Sequence, residues 1–534
     1  MNRSTWPRRR FIKTIVIGSA GMGATCEWRG RPVAPESGGG SRAEVRSESF
    51  AHCHGVRDGV SLPVARPSRD VDVVVIAGGL SGLTAAYRLR NHNVLVLEKE
   101  PHVGGNARTD IWEGIQYPTG ASFTHSASSP MALYDEIGLP VMRRVAGAGT
   151  GAAIGCYNGQ KISDIWGEGF KKVHPEAADS LDEFKNDMRA IDVEGQKAKL
   201  DAIVFRDMLK SYNPAVIKWF DLHGEWLGGS SPEISGYAGV LFTRMFLGEG
   251  LGILLSQKRY DPDYYQFVGG LGAASEALAR KIDESGSNRI ELNATAYRVA
   301  NTDDGHVLAS YMRAGEPVTV RARACIVAAP KLIAGRMVAD LPPEQKQAML
   351  AFKYIAYTVV LAGFPNQVIA DPAARMLDAP LIGTWSFADI GHNAARDPKQ
   401  KSAVRAILPL GGEFRPKLLS DDGARDIAHQ FADYLERYYP GSRERILEMR
   451  VHRRGHNWYT PVPNFTTRLQ PIAAQPFGRV AFAHSDSVGI ISDSDWAVIA
   501  ADRAVGQVQD MLSRSSSSKR VPRRDQATIS PGSA

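Results

Sequence analysis

The most constraining feature of the sequence is a strand, a glycine turn, a helix and a second strand that follow one another without interruption. The run 71–76 is β-branched and almost wholly apolar, as in a parallel strand covered on both faces. It leads into the turn 77–82, and a helical stretch and a second apolar run, 94–97, follow. Glu98 ends this second run, 19 residues after Gly79, which completes the pattern that binds a dinucleotide.

Each residue type in this unit has a physical role. Gly79 allows the backbone to approach a pyrophosphate, and Gly82 allows the helix to pack closely against the strand. The helix N-terminus offers N–H groups to phosphate, and Glu98 accepts hydrogen bonds from ribose hydroxyls. Ala77 occupies the position of the pattern's first glycine, where an alanine is strained by about 1 kcal/mol unless its φ is negative. A βαβ unit that binds no nucleotide is the alternative interpretation.

The charge of the chain is concentrated at its two ends. The 534 residues carry a net charge of +7, but residues 1–25 hold five basic residues and no acidic one. Residues 513–534 hold five basic residues and one acidic residue, so 54 basic and 56 acidic residues remain between the ends. This near-neutral body argues against a folded basic surface for nucleic acid. Four cysteines without a C-x-x-C pair predict neither a disulfide framework nor a metal centre, and leave one disulfide open.

Residues 1–25 have the pattern of a targeting signal. Arg8 and Arg9 precede Phe11 and an uncharged stretch, 14–25, that is too short to span a bilayer. The arrangement resembles the twin-arginine signal, which implies the twin-arginine export machinery as a partner and a periplasmic location. A basic N-terminus without a targeting role is one alternative, and lipid attachment at Cys26 is another. No other stretch has about 18 consecutive apolar residues, so no transmembrane segment is predicted.

Two further segments have the composition of irregular chain. Residues 26–68 are rich in Gly, Pro, Ser and Arg and show no helical or strand period, which predicts a linker. The same reasoning predicts a disordered tail at 513–534.

A second glycine doublet follows the βαβ unit. Gly104, Gly105 and Asn106 come shortly after Glu98 and resemble the glycine-glycine-arginine motif of the FAD-dependent amine oxidase superfamily. Asn106 replaces the arginine of that motif, and Arg108 is the candidate for supplying the charge near the phosphates instead. The resemblance implies that the cofactor is FAD.

The resemblance continues in the same order along the chain. Its further segments are the hairpin 114–121, a glycine turn at 267–272, a returning strand at 324–330, a C-terminal strand and acid at 478–486, and a closing helix at 496–512. It is closest to exported bacterial relatives similar to spermidine dehydrogenase, in which a phrase like 54–59 precedes the FAD domain. The implied fold is α/β, a Rossmann-type FAD-binding domain interleaved with an α+β substrate domain.

The same resemblance implies the domain boundaries and the cofactor site. Parts of the FAD-binding domain are expected at 69–125, 266–330 and 456–512, the helical part of the substrate domain at 126–265, and its sheet part at 331–455. The implied cofactor-binding residues are Ala77, Gly78, Gly79, Leu80, Ser81, Gly82, Glu98, Lys99, Gly104, Gly105, Asn106, Arg108, Asp486 and Trp496.

The resemblance also implies catalytic residues. Thr358, on the strand 356–361, stands where the superfamily often has a lysine that is associated with oxygen reactivity. The absence of that lysine favours a dehydrogenase that uses another, unidentified electron acceptor. Trp458 and Tyr459 resemble one wall of an aromatic cage, which attracts an amine by cation–π interaction. Asp493 falls at the second wall, where it either holds a cationic substrate or caps the closing helix at the surface.

Three functions remain open. The first is oxidation of an amine or polyamine by hydride transfer to FAD in an exported enzyme. The second is carbon–carbon desaturation, as in the phytoene desaturase and protoporphyrinogen oxidase relatives, and the third is flavin binding without turnover. His456 and His484 are either proton carriers or structural histidines. The turn 270–275 with Glu291 is either a second nucleotide site for NAD(P)H or a simple glycine turn before a helix.

Overall fold

The computed structural model of the protein describes residues 43–47, 51–125, 128–143, 154–249, 265–286, 288–378, 381–388, 397–411 and 414–517. These residues all lie in the compact unit Ser41–Ala534. The predicted export signal, Cys26 and residues 518–534 lie outside the described residues. None of the helices in the described ranges is both long enough and apolar enough to cross a membrane.

The described strands are Ala43–Ser47 (β1), Pro67–Ile76 (β2), Val94–Leu97 (β3), Thr109–Trp112 (β4), Ile115–Pro118 (β5), Phe123–Thr124 (β6), Met142–Arg143 (β7), Ile154–Tyr157 (β8), Gln160–Ile162 (β9), Tyr265–Gln266 (β10), Arg289–Glu291 (β11), Ala294–Asn301 (β12), Val307–Arg313 (β13), Glu316–Val327 (β14), Lys353–Phe364 (β15), Ala373–Met376 (β16), Gly383–Phe387 (β17), Ser402–Leu410 (β18), Glu448–Thr460 (β19) and Val480–Phe482 (β20).

The described α-helices are Ala51–Arg57 (α1), Leu80–Arg88 (α2), Ser128–Glu136 (α3), Glu168–Val173 (α4), Ala178–Ala190 (α5), Lys197–Ala202 (α6), Phe205–Met208 (α7), Pro214–Gly224 (α8), Gly236–Arg244 (α9), Gly272–Asp283 (α10), Lys331–Met337 (α11), Pro343–Leu350 (α12), Asp421–Tyr438 (α13), Gln470–Ala473 (α14) and Ser494–Ser517 (α15). Shorter helical turns lie at Pro175–Ala177, Glu225–Leu227, Met245–Glu249, Arg415–Leu419, Arg443–Arg445, Phe465–Leu469 and Ser485–Ser487.

The first large sheet carries the glycine turn. Its described strands run in the order β11–β3–β2–β14–β13–β12, and β20 pairs with the C-terminal part of β14. Val73 and Val75 of β2 pack on one face against α2, α10 and α15, and Val74 and Ile76 pack on the other face with residues of β12, α11 and α12. Both faces of β2 are therefore buried, which explains its apolar sequence.

The second large sheet forms the wall opposite the glycine turn. Its described strands run in the order β1–β19–β15–β18–β17–β16–β8–β9, and β15 is antiparallel to both β18 and β19. Val360 of β15 packs against the helix α13 through Phe431. Tyr357 and Val359 lie on the other face, together with Ile407 of β18. Alternate residues of β15 therefore face the helix and the interior between the two sheets.

The helices α4 to α9 form a separate apolar core next to the second sheet. Trp219 and Phe220 of α8 and Phe242 of α9 are fully buried in this core. It also includes Ile490 and Ile491, which precede α15. The helical part thereby fixes the loop that leads from β20 to α15.

Three predicted boundaries are corrected by the structure. β1 and α1 lie inside the segment predicted as an irregular linker. β1 pairs in parallel with β19, and this non-local partner stabilises a strand of five residues that is too short to show a period. β19 is continuous from Glu448 to Thr460, so the predicted boundary at 455/456 falls inside one strand. α15 continues to Ser517 and extends into the predicted tail.

The glycine turn before α10 is filled by protein. Gly269 and Gly270 have positive φ, as a tight turn requires. A Cβ on Gly270 would lie 2.5 Å from the Cβ of Pro118, and one on Gly272 would lie 2.2 Å from Thr109 Oγ1. Because the hairpin β4–β5 occupies the space in front of this turn, the alternative of a second nucleotide site is wrong.

Candidate active site

A cavity of about 670 Å³ lies at the carboxyl ends of β2 and β3 and extends to the second sheet. Its wall includes the turn after β2, the second glycine doublet, residues of β15, β18 and β19, and the loop before α15. Ligands of open α/β sheets bind at this edge of the sheet. Nucleotide-binding and substrate-binding groups therefore share one cavity.

The N-terminus of α2 borders the cavity. Gly79 is the N-cap residue of α2, and no described side chain caps this helix. A Cβ on Gly79 would make only an ordinary contact, 3.9 Å from the Cα of Gly105, and Gly79 lines the cavity, whereas a Cβ on Gly82 would lie 1.9 Å from the carbonyl oxygen of Ala77. Gly82 thus has the predicted packing role, and the open helix end is suited to a phosphate.

Ala77 adopts a conformation that alanine disfavours. Its φ is +81°, and its N–H donates to the carbonyl oxygen of Leu97 at 2.9 Å. The condition stated from the sequence, a negative φ, is therefore not met. The turn holds a strained alanine at the cavity wall, at a cost of about 1 kcal/mol.

Glu98 presents its carboxylate to the cavity from the end of β3. Oε2 accepts a hydrogen bond from the N–H of Gly78 at 2.6 Å, and Oε1 accepts one from the N–H of Glu100 at 2.9 Å. The residue is buried, and this burial raises the pKa of its carboxyl group above the ordinary value. The position and the fixed orientation suit hydrogen bonds from ribose hydroxyls.

The two glycine segments cross each other at the cavity wall. Gly79 forms a parallel β-bridge with Gly104, and a Cβ on Gly105 would lie 3.2 Å from the Cα of Gly79. Gly104 and Gly105 both have positive φ. The wall at this point is bare backbone, which allows an anion to approach the N–H groups.

The positive charge beside this doublet comes from a different residue than predicted. Arg108 is not among the described residues that line the cavity. Its side chain lies against Gly104, and a Cβ added to Gly104 would be 2.8 Å from the Cγ of Arg108. Arg454 of β19 lines the cavity, and its Nη1 donates to the carbonyl oxygen of Gly105 at 2.7 Å and to Asn106 Oδ1 at 3.4 Å. Asn106 thus stands at the position of the motif's arginine and accepts a hydrogen bond from Arg454, which is distant in the sequence.

These groups fit FAD. The glycine cradle and the open end of α2 suit the pyrophosphate, Glu98 suits the ribose, and Arg454 supplies a cation at the doublet. The predicted cofactor residues that line the cavity are Ala77, Gly79, Leu80, Ser81, Glu98, Lys99, Gly104, Gly105 and Asn106. Gly78 and Gly82 belong to the same turn but are not among the described residues that line the cavity.

Asp486 and Trp496, which were predicted to bind the cofactor, are not among the described residues that line the cavity. Asp486 is fully buried and accepts from Lys331 Nζ at 2.7 Å and from the Tyr354 hydroxyl at 2.5 Å. Burial opposes ionisation, but His484 and Lys331 hold the pKa of Asp486 well below its usual range. The ring of Trp496 packs against Gly489: a Cβ added to Gly489 would be 2.3 Å from the Cδ1 of Trp496. Both side chains are therefore structural.

Two aromatic side chains line the part of the cavity farther from the glycine turn. The rings of Tyr357 and Trp458 pack edge to face, with centroids 5.3 Å apart, and both line the cavity. Burial raises the pKa of Tyr357 to about 12, so its hydroxyl stays neutral. Tyr459 is fully buried, donates to the carbonyl oxygen of Ile491, and points away because neighbours on a strand face opposite sides. Its prediction as a cage residue is wrong, and Tyr357 takes that place.

Thr358 lies on the wrong face of β15 for catalysis. It is fully buried, and its Oγ1 has no hydrogen-bond partner in the described part of the chain. Tyr357, the preceding residue, lines the cavity and Thr358 does not. The assignment of Thr358 to the position of the superfamily's lysine is therefore corrected.

Asp493 both lines the cavity and caps a helix. Its Oδ1 accepts the N–H of Asp495 at 2.8 Å in the first turn of α15, and its Oδ2 lies 3.3 Å from His125 Nε2. Its side chain is 14% exposed, so it is not the surface acid that one of the two interpretations expected. Both of the roles weighed for it, helix capping and contact with the cavity, are compatible with this position.

Several predicted or neighbouring groups complete the wall. His456 and His484 line the cavity, as do His54 and Arg57 from the segment 54–59 ahead of the first sheet. Sequence reasoning missed Tyr357, Arg454 and His125. The alternation of residues along β15 and β19 is the signal that would have separated Tyr357 from Thr358. No local signal marks Arg454 or His125, because each acts on residues more than 300 positions away.

Comparisons with known proteins agree with this geometry. A family model described as flavin containing amine oxidoreductase matches residues 80–489, more than half of the chain. Cyclohexylamine oxidase from Brevibacterium oxydans IH-35A has the same fold, with a TM-score of 0.65 and 17% identity over 83% of this chain and 100% of that one.

The similarity to curated relatives is confined to short segments. Oxidoreductase PigB of Serratia sp. is 44% identical over 73 residues, which are 13% of this chain and 11% of that protein. Mitochondrial protoporphyrinogen oxidase of Nicotiana tabacum is 41% identical over 70 residues, which are 12% of this chain and 14% of that protein. The chain therefore spans less than a sixth of the length of either relative.

The family model, the shared fold and the cavity lead to the same conclusion. The predicted fold, an FAD-binding α/β domain with a second, substrate domain, is confirmed, as is the prediction of an FAD-dependent oxidoreductase. The chain belongs to the flavin-containing amine oxidoreductase family.

Proposed function

We propose that the protein is an exported FAD-dependent enzyme that oxidises an amine. The observation that carries this proposal is the continuity of one cavity from the glycine cradle to the site formed by Tyr357, Trp458 and Asp493. The chemistry that FAD would supply in this cavity is the acceptance of a hydride from the carbon next to the amine nitrogen. The resulting imine hydrolyses in water to an aldehyde or ketone.

The residues at the far end of the cavity suit a cationic nitrogen on an apolar body. The faces of Tyr357 and Trp458 attract a cation, and their area suits an alkyl or aryl group. Among the described residues that line the cavity, Asp493 is the acid at this end, since the other acids, Glu98 and Glu100, lie beside the glycine cradle. A single carboxylate favours substrates with one cationic nitrogen near the reacting carbon, so polyamines are the weaker candidates.

The lysines among the described residues of the cavity bear on the choice of electron acceptor. Among the described residues that line the cavity, the lysine is Lys99, which pairs with Glu100 beside Glu98. The aromatic end thus has no lysine in the described chain to stabilise negative charge on oxygen. We therefore favour slow reaction with oxygen and an acceptor such as a quinone.

Export is part of the same proposal. FAD inserts into a folded protein, and the twin-arginine pattern at Arg8 and Arg9 belongs to a route that carries folded cargo. The periplasm is the compartment that this pattern favours.

The deciding experiment is anaerobic bleaching of the flavin in the purified full-length protein. Cyclohexylamine, benzylamine, putrescine and spermidine are added in turn, and the loss of flavin absorbance is followed. We expect the monoamines to bleach faster than the polyamines. Bleaching by none of the four would overturn the proposal.

A matched pair of variants tests the site within the same assay. Asp493→Asn removes the cavity carboxylate, and we expect KM for the amine to rise at least tenfold, about 1.4 kcal/mol. Asp502→Asn removes a carboxylate of the same helix that pairs with Arg88 outside the cavity. It should leave KM within about twofold, since exposed pairs contribute little.

Carbon–carbon desaturation is the second candidate, because protoporphyrinogen oxidases are among the relatives. Its substrates carry no ammonium group, so a carboxylate facing the cavity gives it no advantage. Anaerobic bleaching by protoporphyrinogen or phytoene, with none by amines, would favour this second function.

A further inference from the structure

The strongest unassigned feature of the molecule is a buried acid–imidazole cluster directly behind the cavity wall. His125 follows β6 and is 7% exposed, and its Nε2 contacts the cavity-lining Asp493 at 3.3 Å. Its own backbone N–H donates to Asp495 Oδ2 at 3.2 Å. The hydroxyl of Thr124 donates to Asp495 Oδ1 at 2.5 Å. The His125 ring thus contacts a carboxylate that faces the cavity, and the backbone N–H of the same residue contacts one that does not.

The surroundings of the cluster are acidic and dry. Asp493 and Asp495 face His125 from the start of α15, and the hydroxyl of Tyr134 faces Asp495 from α3. Tyr459 of β19 also faces Asp493. Burial alone would lower the pKa of His125, but the charge and hydrogen bond of Asp493, with the charge of Asp495, raise it above 6.5. Burial and the charge of Asp493 raise the pKa of Asp495 to about 7.

We propose that the pair Asp493–His125 accepts the ammonium proton of the bound substrate and thereby produces the neutral amine that can be oxidised. This inference rests on the proposed amine oxidation. A group that loses a hydride from its α-carbon must have a free electron pair on nitrogen, so the proton has to leave first. Asp493 touches the substrate and is the catalytic residue of the pair, and His125 is the positioning residue that holds the proton.

The step conserves charge and atoms. One N–H bond of the ammonium breaks, and its proton passes through Asp493 to the unprotonated Nε2 of neutral His125. The products are a neutral amine, the Asp493 carboxylate and a His125 imidazolium, and no electrons are transferred. Asp495 stabilises the imidazolium when it is ionised, above its pKa of about 7, and accepts the His125 backbone N–H.

The proposal predicts a specific pH dependence. Because the pair must be able to take up a proton, the bleaching rate constant should rise about tenfold per pH unit below the pKa of His125 and then level off. His125→Gln keeps an N–H group near Asp493 but cannot take up the proton. In this variant the substrate must lose its proton to solvent, so the rise should move at least one pH unit toward the pKa of the free amine.

The control variant is Tyr134→Phe. The Tyr134 hydroxyl is buried beside Thr124 and Asp495. Its removal changes the environment of the cluster without removing a proton carrier. We expect the midpoint of the pH profile to stay within about 0.3 units, which is less than the shift that loss of a titrating group gives.

A binding measurement gives a readout that needs no turnover. The amine 2-phenylpropan-2-amine has no hydrogen on the carbon next to nitrogen and so serves as an unreactive probe. Calorimetric titration in two buffers with different ionisation enthalpies counts the protons exchanged on binding. Below the midpoint, a cation that binds beside protonated His125 should expel about one proton from the wild-type protein and about none from His125→Gln.

The outcomes separate the inference from the proposed function. Wild-type protein that no amine bleaches and that does not bind the probe would overturn both. Bleaching with the same pH midpoint in wild-type and His125→Gln protein, or the same proton count in both, would overturn the inference alone. A variant that loses FAD is replaced by His125→Asn, for which the same expectations hold.

Discussion

Replacement of Gly82 by alanine tests the packing of the glycine turn. The added Cβ would lie 1.9 Å from the carbonyl oxygen of Ala77, 3.1 Å from its carbonyl carbon and 3.4 Å from the Cβ of Ala328. An ordinary contact begins at about 3.4 Å, so the start of α2 must move more than 1 Å away from the end of β2. That movement separates α2 from the fully buried core around Leu83 and Ala86.

The magnitude follows from two opposing effects. Overpacking costs about 1–3 kcal/mol, and the upper value applies because the contacted atoms are backbone and cannot rotate away. The higher helix propensity of alanine offsets about 1 kcal/mol of this cost. We therefore expect Gly82→Ala to lose about 2 kcal/mol of unfolding free energy. FAD retention should fall as well, because the N–H groups at the start of α2 move away from the cavity.

Urea unfolding followed by circular dichroism measures the change, and the ratio of flavin to protein absorbance measures FAD retention. Gly506→Ala is the matched control, because Gly506 also lies in a helix, is exposed, and has open space where its Cβ would be. It should gain up to about 1 kcal/mol and keep its FAD. If Gly82→Ala matched this control in both measurements, the close contact between α2 and β2 would not determine stability or FAD retention.

Three further changes test other parts of the molecule. Ala77→Gly removes the strained φ and should raise the free energy of unfolding in urea by up to about 1 kcal/mol, and a lower free energy of unfolding would contradict the strain. Thr358→Val removes a buried hydroxyl that has no hydrogen-bond partner among the described residues, so the free energy of unfolding should be unchanged or higher by about 1 kcal/mol. The rate constant for reoxidation of the flavin by oxygen, measured by stopped flow, should not change. A changed rate constant would show that Thr358 acts in the active site. Changing Arg8 and Arg9 together to lysine should keep the protein in the cytoplasm, as fractionation and immunoblotting would show, and unchanged export would refute the signal.

Local patterns predicted the part of the fold that depends on local backbone geometry. The apolar run, the glycine turn and Glu98 give β2, α2 and β3 almost as the sequence indicates. Gly104 and Gly105 likewise have the positive φ that glycine doublets adopt easily. β1 was not predicted because its strand conformation depends on pairing with β19, about 400 residues later.

Two of the predicted catalytic residues, Thr358 and Tyr459, do not line the described cavity, because strand orientation decides which side chains face it. The pairing of β15 with β19 is irregular between Ile355 and Tyr357, so the face that Thr358 presents depends on a register that no local pattern reveals. Arg454, and not the predicted Arg108, lies at the cavity side of the glycine doublet for a similar reason. Arg454 reaches the glycine doublet only because the two sheets pack together, and such contacts are invisible in one sequence.

The construction of the first sheet has a consequence for synthesis of the protein. β14 (Glu316–Val327) lies between β2 on one side and the late strand β20 on the other, and α15 covers α2. The FAD-binding domain therefore joins segments from both ends of the chain, and such long-range pairing is slow. During translation the part of this apolar surface that packs against α15 stays uncovered until α15 has left the ribosome, and β14 lacks its pairing with β20 until residue 482 has. Until then the uncovered apolar surface favours aggregation of the incomplete chain, so the late segments protect the FAD-binding domain as well as complete it.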